Sequence, residues 1–313
     1  MSQLRICLFE KLSVDYGGHE TKCFRSQKAQ ELFCYLLMYR NHIHHRSTLA
    51  DQLWGEMKIE NTKAYLRKAL WQLQISLNSV SEHLAEKLLK IESEWLEVDL
   101  HSCCWLDIAQ FEEAYKQVKG VRGRELDNQQ YQALKTAVDL YKGDLLIGWY
   151  QDWCIFERER LKEMLIEIIN KLMEYCEANG DFDTGISFGD MLLRFDRAHE
   201  RTHRRLMRIY YFAGYRATAL RQFEKCKNAL KEELSVDPSK RTYELYDKIR
   251  NERDEELSLP KEASKPKLDS NPSILSAINS LGRIKKHLAR QASDQKKLFE
   301  EVQMLENALK MQD

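Results

Sequence analysis

Apolar and polar positions alternate at the start of the chain. Leu4, Ile6 and Leu8 are separated by polar or small neighbours, Leu12 and Val14 follow, and Gly17-Gly18 supplies a turn before Thr21 to Phe24. A period of two broken by glycines predicts short antiparallel strands. After Ser26 the period lengthens: Ala29, Leu32, Phe33, Leu36 and Leu37 share one helical face as far as about Asn41. Ser26 suits the N-cap because its hydroxyl can accept a first-turn amide. A short second helix opens at Ser47, turns Leu49, Ala50, Leu53 and Trp54 inward and stops at Gly55. A third is expected to be capped by Asn61 or Thr62, with Leu66, Leu70, Leu73 and Leu77 as its apolar stripe. Leu88, Leu89 and Ile91, then Trp95, Leu96 and Val98, flank Glu92-Ser93-Glu94 and predict a hairpin. Strands, three helices and a closing hairpin are the element order of a winged helix.

From Ile108 onward the spacing is helical. Phe111, Ala114 and Tyr115 share a face; Gly120 to Gly123 is a linker; Tyr131, Leu134, Val138 and Tyr141 form the next helix, ended by Gly143. Trp149 and Trp153 brace a turn into a long helix through Leu161, Leu165, Ile168, Ile169 and Leu172. Helices are then expected over Ile186 to Leu193, Ala198 to Tyr211, Tyr215 to Leu230 and Thr242 to Ile249, with Asn179-Gly180-Asp181 and Ala213-Gly214 at the turns. Helix pairs of roughly 34 residues with small turn residues predict tetratricopeptide-like hairpins. The first proline is Pro238, which suits a mainly helical chain. Residues 254 to 273 mix charge, serine and three prolines, as linkers do. Beyond them Ile274, Leu281, Leu288, Val302 and Leu309 keep a seven-residue repeat that Gln291 and Gln295 interrupt. That segment is either one coiled coil with a polar centre or a helical hairpin.

The expected fold class is therefore multidomain and mainly α: an N-terminal α+β winged helix, a tetratricopeptide-like α-helical array and a C-terminal helical extension. The expected boundaries are 1–100 for the winged helix, 104–252 for the array, 253–272 for the linker and 273–313 for the helical or coiled-coil tail.

Charge changes this picture only locally. Lys plus Arg and Asp plus Glu are 49 each, so net charge offers no global argument for nucleic acid. Asn61 to Ser81, however, contains no acid. Its leucine stripe leaves Asn61, Lys68, Trp71 and Gln72 on the opposite side, with Lys63, Tyr65 and Arg67 on the flanks. A helix with a packed back and a cationic front can enter a DNA major groove. The bland alternative is a surface helix of a small α+β domain. Against phosphate contact stand Glu92 and Glu94 at the hairpin tip; Tyr65 and Trp71 would equally suit a protein surface. A second basic bias comprises Arg197, Arg201, Arg204, Arg205 and Arg208, which are candidates for an acidic partner. The alternative is a solvated face paired with acids such as Glu157, Glu159 and Glu163.

Other chemistry is not signalled. No phosphate-binding loop, dinucleotide fingerprint or HExxH motif occurs. His42, His44 and His45, and Cys103-Cys104, lack metal-site spacing, so no metal, cofactor or enzyme activity is expected. The 8 cysteines include no CxxC, and no apolar run approaches a membrane span or a signal peptide. A cytoplasmic protein with reduced thiols and no membrane contact is expected.

Several separated motifs resemble one family. Arg25 to Leu37 looks like its first helix and Ser47 to Glu56, with the Leu53-Trp54 ending, like its second. Asn61 to Leu77 falls at its recognition helix and Trp95 to Asp99 at its closing wing strand. Leu106-Asp107, Phe111, Ala137 to Leu146, Trp153, Arg158, Arg160 and Leu161 follow, then Leu206-Met207, Tyr210, Gly214, Ala219-Leu220 and Leu230 to Ser239. Residues 4 to about 250 thus resemble the bacterial antibiotic-regulatory activators, which join a response-regulator-type winged helix to a bacterial transcriptional activator domain. The resemblance implies a transcriptional activator that binds repeated promoter-proximal sites in double-stranded DNA, often as a homodimer, and contacts RNA polymerase. Carried over by position, Lys63, Arg67, Lys68, Trp71 and Gln72 would read bases, and Arg25, Lys28, Arg46 and Lys90 would contact phosphates. The chain departs from the family in having Gln72 and Gln74 where arginine is usual, and in a short acidic wing. The tail lies outside the resemblance and would dimerise, dock on its own chain or bind a regulatory protein. The competing function is a protein-interaction adaptor that keeps the winged helix as scaffold without reading DNA.

Overall fold

The computed structural model describes residues 4–21, 23–55, 59–100 and 104–251. These belong to one compact unit. The expected linker at 253–272 and tail at 273–313 lie outside the described residues.

The chain opens with β1 (Leu4–Cys7), β2 (Ser13–Tyr16) and β3 (His19–Glu20), joined antiparallel. Gly17 and Gly18 take φ of 64° and 89° at the β2–β3 turn, where a side chain would be strained. The third strand lies before the expected Thr21 to Phe24 run, directly after the glycine turn, and Thr21, Cys23 and Phe24 are outside it. α1 (Gln27–Met38) starts as its sequence predicts, with the Ser26 hydroxyl accepting from the Ala29 amide at 3.4 Å. After β4 (His44–His45), α2 (Arg46–Trp54) and α3 (Ile59–Val80) complete the three-helix unit. α3 begins before Asn61 and Thr62, so Thr62 is a buried residue inside the helix rather than its cap. A short α4 (Leu84–Leu88) then leads into β5 (Leu89–Ile91) and β6 (Trp95–Val98), the expected hairpin. β4 pairs with β6, which ties the hairpin to the start of α2.

The helical half comprises α5 (Asp107–Gln117), α6 (Asn128–Leu140), α7 (Asp152–Asn179), α8 (Phe182–Phe195), α9 (Glu200–Phe212), α10 (Arg216–Leu234) and α11 (Lys240–Arg250). Asp127 and Gln130 form a reciprocal cap at the start of α6. α7 to α10 pack as successive tetratricopeptide-like hairpins, so the whole is an α+β winged-helix region followed by an α-helical array. Gly120 to Gly123 is not a free linker. The Gly123 amide donates to the Glu174 carboxylate at 3.0 Å, the Lys171 ammonium donates to the Val121 carbonyl, and a Cβ on Gly123 would overlap the Lys171 carbonyl oxygen of α7.

The two halves are stitched together at the β1–β2 connection. β7 (Cys104–Leu106) runs parallel to β1, so residues beyond position 100 complete the N-terminal sheet in the order β3-β2-β1-β7. Directly after β7, the buried Asp107 carboxylate accepts the amides of Leu8 at 2.8 Å, Phe9 at 3.0 Å and Ile108 at 2.7 Å. On the other side the Glu10 amide donates to the Asp144 carbonyl at 2.9 Å, and the Leu146 and Ile147 amides donate to Leu8 and Glu10 at 3.0 and 2.7 Å. Phe9 inserts its ring between Phe111 (5.3 Å) and Tyr141 (4.7 Å) of the helical half. One apolar core consequently runs from Leu4 through the array to Ile209. Arg40 of the winged helix and Arg160 of α7 meet on Glu112, adding a charged seam.

Burial pushes the Asp107 carboxyl above the ordinary carboxylate range, and the three amide donors pull it back only in part. A raised folded value means that this group's contribution is fully present below its unfolded pKa and is lost as pH rises through the folded one. Wild type should therefore lose stability relative to Asp107→Asn as pH rises from acid to neutral, read as a difference in urea midpoints. Asp107→Ala removes the acceptor from three buried amides and should cost about 1–3 kcal/mol for each group left unpaired. Gly123→Ala should cost about 1–3 kcal/mol, because the obstruction is main chain that cannot step aside; thermal melting of both variants checks these values.

Candidate nucleic-acid interface

α3 has two unlike sides. Leu66, Ala69, Leu70, Leu73 and Leu77 are buried against α1, α2 and α4. Lys63, Arg67 and Lys68 are exposed, and none of the three has an ion-pair or hydrogen-bond partner among the described residues. Trp71 is 61% exposed, and Tyr65 and Ile75 are also open to solvent. Gln72 is half-buried at the edge of the face. Leucine spacing produces this segregation directly: once the stripe is sealed in the core, residues half a turn away must face out. The five proposed base-reading residues thus share a helix whose outward side carries cations and aromatic area.

The four proposed phosphate contacts are differently placed. Arg25 is exposed before α1. Lys28 sits 2.9 Å from the buried Glu31 carboxylate and 5.8 Å from the centre of the Trp54 ring. Arg46 donates through Nη1 to the carbonyls of Glu92 (3.0 Å) and Ser93 (3.3 Å), while its own amide donates to the Glu94 carbonyl at 2.9 Å. It therefore clasps the hairpin tip. Lys90 lies 3.2 Å from Asp99 and 3.8 Å from Glu97; its hydrogen bond to Asp99 and the charges of both acids raise its pKa. Trp95 packs edge-on against His45 at 4.8 Å, giving the hairpin an aromatic base.

The five arginines proposed for an acidic partner are engaged within the chain. Arg201 and Arg205 reach Glu174 at 3.4 and 2.7 Å, and Arg205 and Arg208 reach Glu177 at 3.3 and 2.8 Å. Arg204 pairs with Glu200 at 3.3 Å, and Arg197 with Glu232 and Glu233 at 3.2 and 3.8 Å. The acids are thus not Glu157, Glu159 and Glu163. Glu157 pairs with Arg160 of its own helix at 2.6 Å, whereas the α9 arginines face the later turns of α7. Burial pushes the Arg205 guanidinium below its ordinary value, and Glu174 and Glu177 oppose that shift. This cluster fastens α9 to α7.

The histidine cluster is used locally: His44 Nε2 lies 3.1 Å from the Tyr39 carbonyl and His45 Nδ1 2.7 Å from the Ser47 hydroxyl. Among the described residues no group of three or more His, Cys, Asp or Glu side chains could hold a metal, and no helix is long and apolar enough to cross a membrane. Sequence reasoning did not single out Glu31. The available signal was an acid inside the apolar stripe of α1, beside Ala29 and Leu32. Nor did it assign the buried role of Asp107, whose signal was an acid directly after the strand pattern of Trp105-Leu106.

Residues 106–250 match the family model of the bacterial transcriptional activator domain. No curated protein matches the chain. Among solved structures, Mycobacterium tuberculosis EmbR in complex with a low-affinity phosphopeptide is similar in fold, with a TM-score of 0.67 and 17% identity over 80% of this chain. The match spans 66% of the EmbR chain, just under two thirds of its length. The chain therefore contains a region matching the bacterial transcriptional activator domain, in a winged-helix and helical-array fold similar to that of EmbR.

Proposed function

We propose that this chain is a cytoplasmic, non-catalytic transcriptional regulator that binds double-stranded DNA through α3. The observation that carries the reading is the outward side of that helix: Lys63, Arg67 and Lys68, unpaired among the described residues, around Trp71 and Gln72. A helix of this kind places cations against phosphates and long polar side chains against base edges in the major groove. The match to a transcriptional activator domain supports an activating role, in which the bound chain recruits RNA polymerase at a promoter-proximal site. Arg25 supplies a flanking phosphate contact. Lys28, Arg46 and Lys90 would have to give up internal partners to do the same, so they rank below it. Homodimerisation, or capture of a regulatory protein, is proposed for residues 273–313, whose sequence keeps a seven-residue apolar repeat.

The second reading, a protein-interaction adaptor, draws on the aromatic and aliphatic area of Tyr65, Trp71 and Ile75 beside those cations. Exposed tryptophan and tyrosine are common anchors of protein interfaces. Selection of bound fragments from random DNA, repeated with residues 254–313 removed, separates the two. The regulator enriches a defined sequence, and its affinity falls with salt with a slope of about 0.9 per neutralised phosphate. Lys68→Ala should weaken binding to the enriched site by about 1–3 kcal/mol if it reads a base. Unchanged specific and nonspecific affinity would remove Lys68 from the interface, and failure to enrich any sequence would leave the adaptor reading.

A further inference from the structure

A cleft of about 540 Å³ lies between the winged helix and the start of α7. That volume falls within the roughly 300–1,000 Å³ typical of small-molecule sites. One wall is formed by Lys28 and Glu31 of α1 and Trp54 at the end of α2; the other by Trp149, Gln151 and Trp153. Three indoles thus line the same cleft as a buried carboxylate whose only ion-pair partner among the described residues is Lys28, at 2.9 Å. Two of the lining residues also carry buried polar atoms with no hydrogen-bond partner among the described residues, the Trp153 indole N–H and the Gln151 amide oxygen. A buried donor and a buried acceptor left unmatched are costly, and here they belong to residues two apart at the start of α7. Gln151 is also the N-cap of α7 yet makes no side-chain capping bond, so the first amides of this long helix keep their affinity for negative charge.

We propose that this cleft binds a free amino acid, or a zwitterion of that size, between the two halves of the protein. The ligand's ammonium takes the place that the Lys28 ammonium now holds, against Glu31 and the Trp54 face. Its carboxylate accepts from the displaced Lys28. The opposite charges of Lys28 and Glu31 match a ligand that carries both signs. Asp152, which also lines the cleft, leaves the lining one charge negative and so favours the ammonium end. The aromatic walls suit a flat or aliphatic side chain through stacking and cation–π contact. A ligand so held would bear on α2, the helix that packs against α3. The site itself does not depend on the DNA-binding reading, because its test is made without DNA.

The test is a screen of the twenty free L-amino acids at millimolar concentration against the full chain, read by tryptophan fluorescence and by thermal shift. At least one should change the emission saturably and raise the melting temperature. Its N-acetyl derivative and its methyl ester, each lacking one charge, should bind about tenfold more weakly or worse. Glu31→Gln and Lys28→Gln should each weaken binding to a similar degree; if either variant fails to fold by circular dichroism, the two blocked ligands decide on wild-type protein alone. The proposal is overturned if no amino acid moves either signal. It is equally overturned if blocking either charge leaves affinity unchanged, or if both folded variants bind as wild type does.

Discussion

The architecture depends on how the connection between β1 and β2 is held. Leu8, Phe9 and Glu10 give their amides to groups of the helical half, two to the Asp107 carboxylate and one to the Asp144 carbonyl. Phe9 sends its ring into the aromatic nest of Phe111 and Tyr141. A short loop that would otherwise be solvated becomes a splice, with the amides of Leu8, Phe9 and Glu10 all bonded across to the array. Because the apolar core is continuous across the splice, the winged helix and the helices after it share one interior. Relative motion of the two would have to break buried polar bonds and open packed apolar contacts together, and both are expensive.

This rigidity frames the exposed side of α3. The helix is pressed against α1 and α2 by its leucines, and α1 is in turn pinned to the array by the Tyr35–Trp153 contact at 5.5 Å, with the Arg40–Glu112 pair just beyond its end. The hairpin is fixed from beneath by Arg46. The cations of α3 are therefore presented from a body whose shape is set before any partner arrives, which reduces the ordering cost of association. In the hairpin, Lys90 is paired with Glu97 and Asp99 and Arg46 is bound to the tip carbonyls, so the cations there are engaged while acids stand at the tip.

Much of this was legible in the sequence, for identifiable reasons. The leucine stripe of α3, the Ser26 cap and the tryptophan-flanked hairpin depend on local periodicity and local hydrogen bonds, which a linear pattern records. Pairing across long sequence distances is not recorded in that way. Nothing near Cys104 shows that it will run parallel to Leu4, and nothing near Asp107 announces the amides of Leu8 and Phe9. The glycines from 120 to 123 read as a flexible connection because glycine usually marks one, whereas here its missing side chain admits the main chain of α7. The start of α3 was placed late because an asparagine and a threonine look like caps even when the preceding turn is already helical. The face of α3 was visible residue by residue. Whether Lys28, Arg46 and Lys90 were free was not, since their partners depend on the tertiary arrangement.

The arginines of α9 carry a consequence for encounter. Charges separated by more than roughly 8 Å at physiological ionic strength barely feel one another, so a polyanion samples local fields rather than the chain's overall neutrality. Arg201, Arg205 and Arg208 are held on Glu174 and Glu177, which mutes the attraction that this side of the array would otherwise exert. Any approaching polyanion is thus attracted less to that side, and the local field is weighted toward the lysines and arginine of α3, which have no acid partner among the described residues. Internal charge compensation at one end of the molecule in this way acts as an orientational filter for the other.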